Sequence, residues 1–291
     1  MKNRFHILPY HMVVDRPNGF YPETAIKIFE QQMAHIAENY TVVELSDLVD
    51  RVRYGKSLRR RLAITFDDGF RDNYDLAFPI LRKYNFPATI FLATEYIDSG
   101  KPPWFIAFRH AFMHTKKTQI DLHIGKMHLL LPLDTRHARL EAGNRVMAEI
   151  RRCTNDTRLA LLTELFEKLD TEPSPTLDGM MLTWDHIREM SSNGISFGAH
   201  TVSHPVLSRV SPETAEEEIR VSKETIESVI QKSVRTFAYP FGKTVDYTPS
   251  VIPVLKKYEF DCAVTTETYI NNANAPLFSL NRNFPWETAV L

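Results

Sequence analysis

Short apolar runs that end in polar or turn-forming residues alternate along this chain with stretches whose apolar residues recur at helical spacing. Strands are predicted at 5–14, 41–45, 63–66, 88–93, 195–199, 234–239, 263–266 and 278–281. Ala25, Ile28, Phe29, Met33 and Ile36 mark a first helix, with Pro22 in its first turn and its end near Asn39. Ser46 is the expected cap of a second helix, and 73–84, 212–231 and 251–258 read as further ones. In 212–231, Ser211 caps, Pro212 opens the first turn, and Glu213, Glu216, Glu217 and Glu218 form a solvated face at the positive end. Strand–helix–strand alternation of this kind predicts parallel strands joined by crossover helices.

The rhythm changes between 100 and 176. A helix at 105–114, a hairpin at 120–124 and 127–131, and charged helices at 136–150 and 157–169 are expected there. Residues 171–175, with two prolines, close the stretch like a linker. This predicts a single domain over 1–291 with an insertion or lid at about 100–176. After it, Thr183 is the expected cap of a short helix.

Composition narrows the function classes. At 291 residues, with 43% hydrophobic and 24% charged positions, the chain is an ordinary globular α/β candidate. A formal net charge of -1 gives no electrostatic reason to expect nucleic acid as partner. Cys153 and Cys262 have no metal-site spacing and make no disulfide framework. No apolar run is long enough to span a membrane, and the residues after Lys2 and Arg4 are too polar for a secretion signal, so a cytoplasmic location is expected.

Three predicted strands end in polar residues: Asp67-Asp68-Gly69, His200 with His204, and Tyr239 to Gly242. In parallel α/β folds the carboxyl ends of strands share one face, where functional groups collect. Asp-Asp-Gly alone is also ordinary turn chemistry. Joined by two histidines four apart, it becomes a candidate metal centre. One carboxylate would serve as ligand beside the histidines, and the other would stay free as a base. His110 and His114 are also four apart but lack a carboxylate motif, and read as a surface pair. Trp104 and Trp184 read as core, with sugar stacking as the alternative.

These motifs carry a resemblance. Thr65-Phe66-Asp67-Asp68-Gly69, His200-Thr201-Val202-Ser203-His204-Pro205 and Phe237-Ala238-Tyr239-Pro240-Phe241-Gly242 are similar to the three successive motifs of the polysaccharide deacetylases of carbohydrate esterase family 4, the NodB-like metal-dependent de-N-acetylases. The resemblance runs from Tyr10-His11 to the end of the chain, the insertion excepted. It implies a deformed (β/α) barrel with Asp67 as catalytic base and Asp68, His200 and His204 as metal ligands. It further implies a substrate groove lined by Tyr239, Pro240 and Phe241, the Phe241 amide facing the oxyanion. The implied ion is Zn2+, with Co2+, Ni2+ or Fe2+ also suited to three N/O donors. The implied substrate is an N-acetylated sugar or oligosaccharide, and the missing export signal favours a soluble precursor of surface polysaccharide or a lipid- or nucleotide-linked sugar at the inner membrane face as the expectation.

Two departures matter. Ala238 stands where many members carry an arginine that orients the catalytic Asp, and Leu280-Asn281-Arg282 stands where a Leu-x-His motif would supply the general acid. Arg282 is the expected substitute for the missing arginine, and His11 the candidate acid. The alternatives are a catalytically inactive scaffold that keeps the fold, and an O-acetyl or other amide hydrolase on the same site.

Overall fold

The computed structural model describes residues 3–19, 21–172 and 179–284. The chain forms two compact units, Met1–Ser99 with Gly179–Leu291, and Gly100–Asp178.

The first unit is built on β1 (Arg4–Tyr10), β4 (Thr41–Val42), β5 (Arg61–Phe66), β6 (Ala88–Leu92), β9 (Ile195–Ala199), β10 (Thr236–Ala238), β11 (Cys262–Val264) and β12 (Asn271–Asn272). Their order is β11-β10-β9-β6-β5-β1-β12, with β4 also on β5; every pairing is parallel except β1 with β12. β6 is buried at every position and β5 at all but its first, which is why these segments read as continuous apolar runs. Helices α1 (Ile26–Asn39), α2 (Leu45–Arg53), α3 (Phe78–Lys83), α7 (Trp184–Ser192), α8 (Pro212–Ile230) and α9 (Val251–Lys257) complete the unit.

The sheet closes on itself through an irregular segment. Leu280 N–H donates to Ala263 O and Leu280 O accepts from Thr265 N–H on the β11 side, and Asn283 N–H donates to Ile7 O of β1. The result is the deformed (β/α) barrel expected from the sequence. The strand predicted at 278–281 is reduced to one parallel bridge between Val264 and Leu280. The Asn271 side chain takes both backbone groups of Asn281, at 2.6 and 3.0 Å, in place of a ladder partner.

Other boundaries shift for local reasons. The strand predicted at 5–14 breaks at His11, and β2 (Met12–Val14) pairs with β3 (Glu23–Ala25) instead. Pro22 therefore lies outside α1, whose start moves to Ile26. Ser46 sits inside α2, with Glu44 at the cap. The helix predicted at 73–84 begins as a π-helical turn, Asn73–Ala77, because Pro79 has no N–H for the carbonyl four residues back. Thr183 and Ser211 cap α7 and α8 as their spacing suggests.

The second unit contains α4 (Trp104–His114), a hairpin of β7 (Gln119–Ile124) and β8 (Met127–Pro132), α5 (Arg136–Ile150) and α6 (Asn155–Leu169). The hairpin alternates except at Met127, which is exposed at the turn: Ile120, Leu122, Ile124, Leu129 and Leu131 are buried and their neighbours exposed. Trp104 is half-buried with the Arg158 guanidinium 4.5 Å above its ring, so that face is taken by a cation–π contact. His110 and His114 stack at 3.9 Å, and His114 Nδ1 donates to His110 O, as befits a surface pair. The linker predicted at 171–175 lies largely outside the described residues.

Candidate active site

At the carboxyl end of β5, the backbone turns sharply enough to send two adjacent carboxylates different ways. Asp68 has φ 74° and Gly69 φ 85°. A Cβ on Gly69 would meet Leu92 Cδ2 at 2.8 Å, so only glycine fits both the conformation and the space.

Asp67 faces the closing segment. Arg282, fully buried, donates through Nη1 to Asp67 Oδ1 at 2.7 Å and through Nη2 to Oδ2 at 2.6 Å. Its remaining donors reach Thr65 Oγ1 at 3.3 Å and Thr265 O at 2.7 Å. Burial works to raise the Asp67 pKa, but the Arg282 charge and fork outweigh it and hold the carboxyl well below the usual carboxylate range. His11 Nε2 lies 3.7 Å from Asp67 Oδ2. Burial pushes this imidazole down to about 4, against the pull of Asp67 and with help from Arg282 and His200, so it is neutral at neutral pH.

Asp68 faces the histidines. Its Oδ1 is buried without a hydrogen-bond partner, 3.6 Å from His200 Nε2 and 3.5 Å from His204 Nε2. His200 Nδ1 donates to Ala238 O at 2.7 Å, which fixes the tautomer and leaves the Nε2 lone pair aimed at Asp68. Burial first, then the neighbouring Asp67 charge, drives the Asp68 carboxyl well above its usual range. An orphaned carboxylate oxygen between two imidazole nitrogens, each about one ligand–ligand spacing away, fits a divalent cation. These three are a buried group of potential metal ligands.

The histidine turn is held from outside by a residue that helical periodicity disguises. Glu218 of α8 accepts from Val202 N–H at 2.7 Å, Ser203 N–H at 2.9 Å and Ser203 Oγ at 2.6 Å. The expected solvated face of α8 is thus corrected at Glu218, because the loop folds back onto it. Thr201 (φ 68°), His204 (φ 54°) and Phe241 (φ 60°) share with Asp68 a left-handed backbone, the kind of local strain that collects at functional sites. Sequence reading also missed Tyr21, whose hydroxyl donates to Asp68 Oδ2 at 2.9 Å. Spacing carries no signal for this contact.

In the third motif, Phe241 is partly exposed with its ring edge-on to His204 at 4.8 Å. Pro240 is buried. Tyr239 is fully buried, its ring stacked on Tyr247 and its hydroxyl donating to Phe278 O at 2.9 Å, so its side chain offers no surface to a substrate.

The segment carrying His11, between β1 and β2, is pinned by a neighbouring pair. Asp72 Oδ1 accepts from Val13 N–H at 2.9 Å and Asn73 Nδ2 at 2.8 Å, while Asn73 Nδ2 also donates to His11 O at 2.8 Å. Burial raises the Asp72 pKa to about 7 despite these bonds. The folded state therefore binds this proton more tightly than the unfolded chain, and stability falls as pH rises from about 4 to about 7. Asp72→Asn keeps the acceptor without the charge. Urea unfolding is expected to show the variant more stable than wild type by about 2 kcal/mol at pH 8. The gap should close toward pH 4; a gap independent of pH would contradict this account.

Residues 55–263 match the family model for polysaccharide deacetylases. The chain belongs to the polysaccharide deacetylase family. The matched span includes Asp67, Asp68, His200, His204 and the third motif of this chain, but neither His11 nor Arg282. Over 280 residues the chain is 22% identical to the polysaccharide deacetylase YxkH of Bacillus subtilis (strain 168), covering 95% of this chain and 69% of that protein. A stretch of 66 residues is 42% identical to the poly-β-1,6-N-acetyl-D-glucosamine N-deacetylase of Staphylococcus epidermidis, 23% of this chain and 22% of that one. Among solved structures, the Streptococcus pyogenes deacetylase PplD, in complex with acetate, superposes with a TM-score of 0.64 at 21% identity, covering 97% of this chain and 92% of that one. IcaB from Ammonifex degensii gives 0.63 at 18% identity, with 98% and 94% covered. Among the described residues no helix is long and apolar enough to cross a membrane.

Proposed function

We propose that this protein is a metal-dependent hydrolase that removes the acetyl group from an N-acetylated sugar of a surface polysaccharide or its precursor. The single domain over 1–291, with its insertion at about 100–176, would be the catalytic unit. The observation that carries the reading is the division of roles between adjacent carboxylates: Asp67 is locked ionised by Arg282, while Asp68 has an unsatisfied oxygen facing two imidazoles. Asp68, His200 and His204 would hold the ion, with zinc the first choice and cobalt, nickel or iron(II) compatible with the same donors. When bound, the ion supplies Lewis acidity, acidifying water and polarising the acetamide carbonyl.

The protein side of the reaction follows from the contacts. Asp67, ionised at neutral pH, accepts a proton from the attacking water. Arg282 fixes the orientation of that carboxylate. The neutral imidazole of His11 lies 3.7 Å away and would receive the proton from Asp67 and pass it to the departing amine. Phe241 brings the third motif against His204, and its amide is the proposed donor to the developing oxyanion, with Pro240 and the Tyr239 backbone shaping that turn. The local match to the staphylococcal enzyme supports a β-1,6-linked N-acetylglucosamine polymer as the first substrate to try.

The test is acetate release from β-1,6- and β-1,4-linked N-acetylglucosamine oligomers, alongside O-acetylated sugars. Acetate is expected with an equal yield of free amine, abolished by dipicolinate and restored by Zn2+, Co2+ or Ni2+. Release from O-acetyl sugars alone would move the reading to an esterase. No release from any of them after metal reloading would move it to a binding protein.

A further inference from the structure

We propose that the exposed face of the β7–β8 hairpin is a second divalent-metal site, formed by Asp121, His123 and His128. It lies in the Gly100–Asp178 unit and does not rest on the deacetylase reading. The antiparallel register places His123 directly opposite His128, and Asp121, two residues before His123, shares their face. The opposite face carries the buried Ile120, Leu122 and Leu129, so the strand period forces all three polar side chains outward.

Their geometry is convergent rather than merely adjacent. His128 Nε2 is 2.9 Å and His123 Nδ1 3.9 Å from the same oxygen, Asp121 Oδ1. The two rings lie parallel, 9° apart in plane and 4.5 Å between centroids. One potential ligand atom from each residue falls within 4.8 Å of the others, so modest rotamer changes bring three donors onto one ion. Two stacked imidazoles would repel if both were protonated, whereas a cation between them takes two neutral rings and the carboxylate together. Two imidazoles and one carboxylate select borderline ions such as Zn2+, Ni2+ or Cu2+ over Mg2+ or Ca2+, and leave positions open for water. The stacked pair of half-buried His110 and exposed His114 is not part of such a three-donor group among the described residues.

The experiment is calorimetric titration of the chelator-stripped 291-residue protein with Zn2+, repeated with Ni2+. Wild type is expected to bind two equivalents. The His123→Ala/His128→Ala variant is expected to bind one, with acetate release and far-UV circular dichroism unchanged. His110→Ala/His114→Ala is expected to keep both. Asp68→Ala/His204→Ala should lose the active-site equivalent and retain the hairpin one, so failure at either site is seen separately. Asp121→Asn should weaken the hairpin site at least tenfold. The proposal is overturned if His123→Ala/His128→Ala binds as many equivalents as wild type, or if the second equivalent disappears with His110→Ala/His114→Ala.

Discussion

Arg282→Ala is expected to lower the stability of the fold by about 3–5 kcal/mol at neutral pH. The size of the effect comes from what the substitution strands. Asp67 is 2% exposed, and both its oxygens take their charge-assisted bonds from this one guanidinium. Removing the fork leaves a buried carboxylate without compensation, and also leaves Thr265 O and Thr65 Oγ1 without their donor. Arg282→Lys should recover only part of the loss, because an ammonium cannot bridge both oxygens. The pH dependence has a definite sign. The Asp67 pKa is depressed in the folded state, so its stabilising contribution is complete above the unfolded carboxylate pKa and fades only in strong acid. The gap between wild type and Arg282→Ala should therefore be full at pH 7 and shrink below about pH 4. Urea unfolding across that range checks it. If Arg282→Ala unfolds at the wild-type midpoint, the pair carries no net stability. A double variant Asp67→Asn/Arg282→Met, which removes both charges, should be more stable than Arg282→Ala alone.

How far such a site can be read from sequence depends on whether a residue's role is local. The Asp67-Asp68-Gly69 turn and the His200–His204 turn were legible because apolar strands end abruptly in ligand chemistry, and parallel topology then places those ends together. The barrel itself followed from the same alternation. Arg282 was different: its candidacy came from noticing that Ala238 leaves Asp67 without the arginine expected there. Its contact with Asp67 depends on the closing segment bridging β11 and β1, which no local pattern encodes. Glu218 and Tyr21 were illegible for related reasons. Glu218 occupies a position that helical periodicity assigns to solvent, and only the loop folding back onto α8 takes it out of water. Tyr21 reaches Asp68 across 47 residues of sequence. The break of the first strand at His11 was also missed, since residues 5–14 are uniformly compatible with one long strand and only the competing pairing of β2 with β3 divides them.

The second large effect separates two neighbours. Asp68→Ala is expected to abolish metal retention at the active site and lower the acetate-release rate by at least about 10³-fold, because it removes the anionic donor from a buried three-donor group. Asp67→Asn is expected to retain a wild-type equivalent of metal at the active site while lowering kcat by about 10²–10⁴-fold. The amide is nearly isosteric and sits beside the metal-facing group without belonging to it, but it cannot accept a proton. Its NH2 also meets the Arg282 fork donor to donor, so a stability loss of about 1–3 kcal/mol should accompany the kinetic effect. Metal content by elemental analysis and kcat by acetate release, measured on the same preparations, distinguish the roles. Loss of metal in Asp67→Asn would make both carboxylates ligands and leave the proton acceptor to be found elsewhere. Retention of more than about a tenth of wild-type kcat would mean that His11 takes the proton from water directly, with Asp67 only orienting it. The outcome expected here, metal kept and turnover lost, requires that the left-handed turn at Asp68 keep the two side chains chemically apart. That same turn gives adjacent aspartates their opposite pKa shifts.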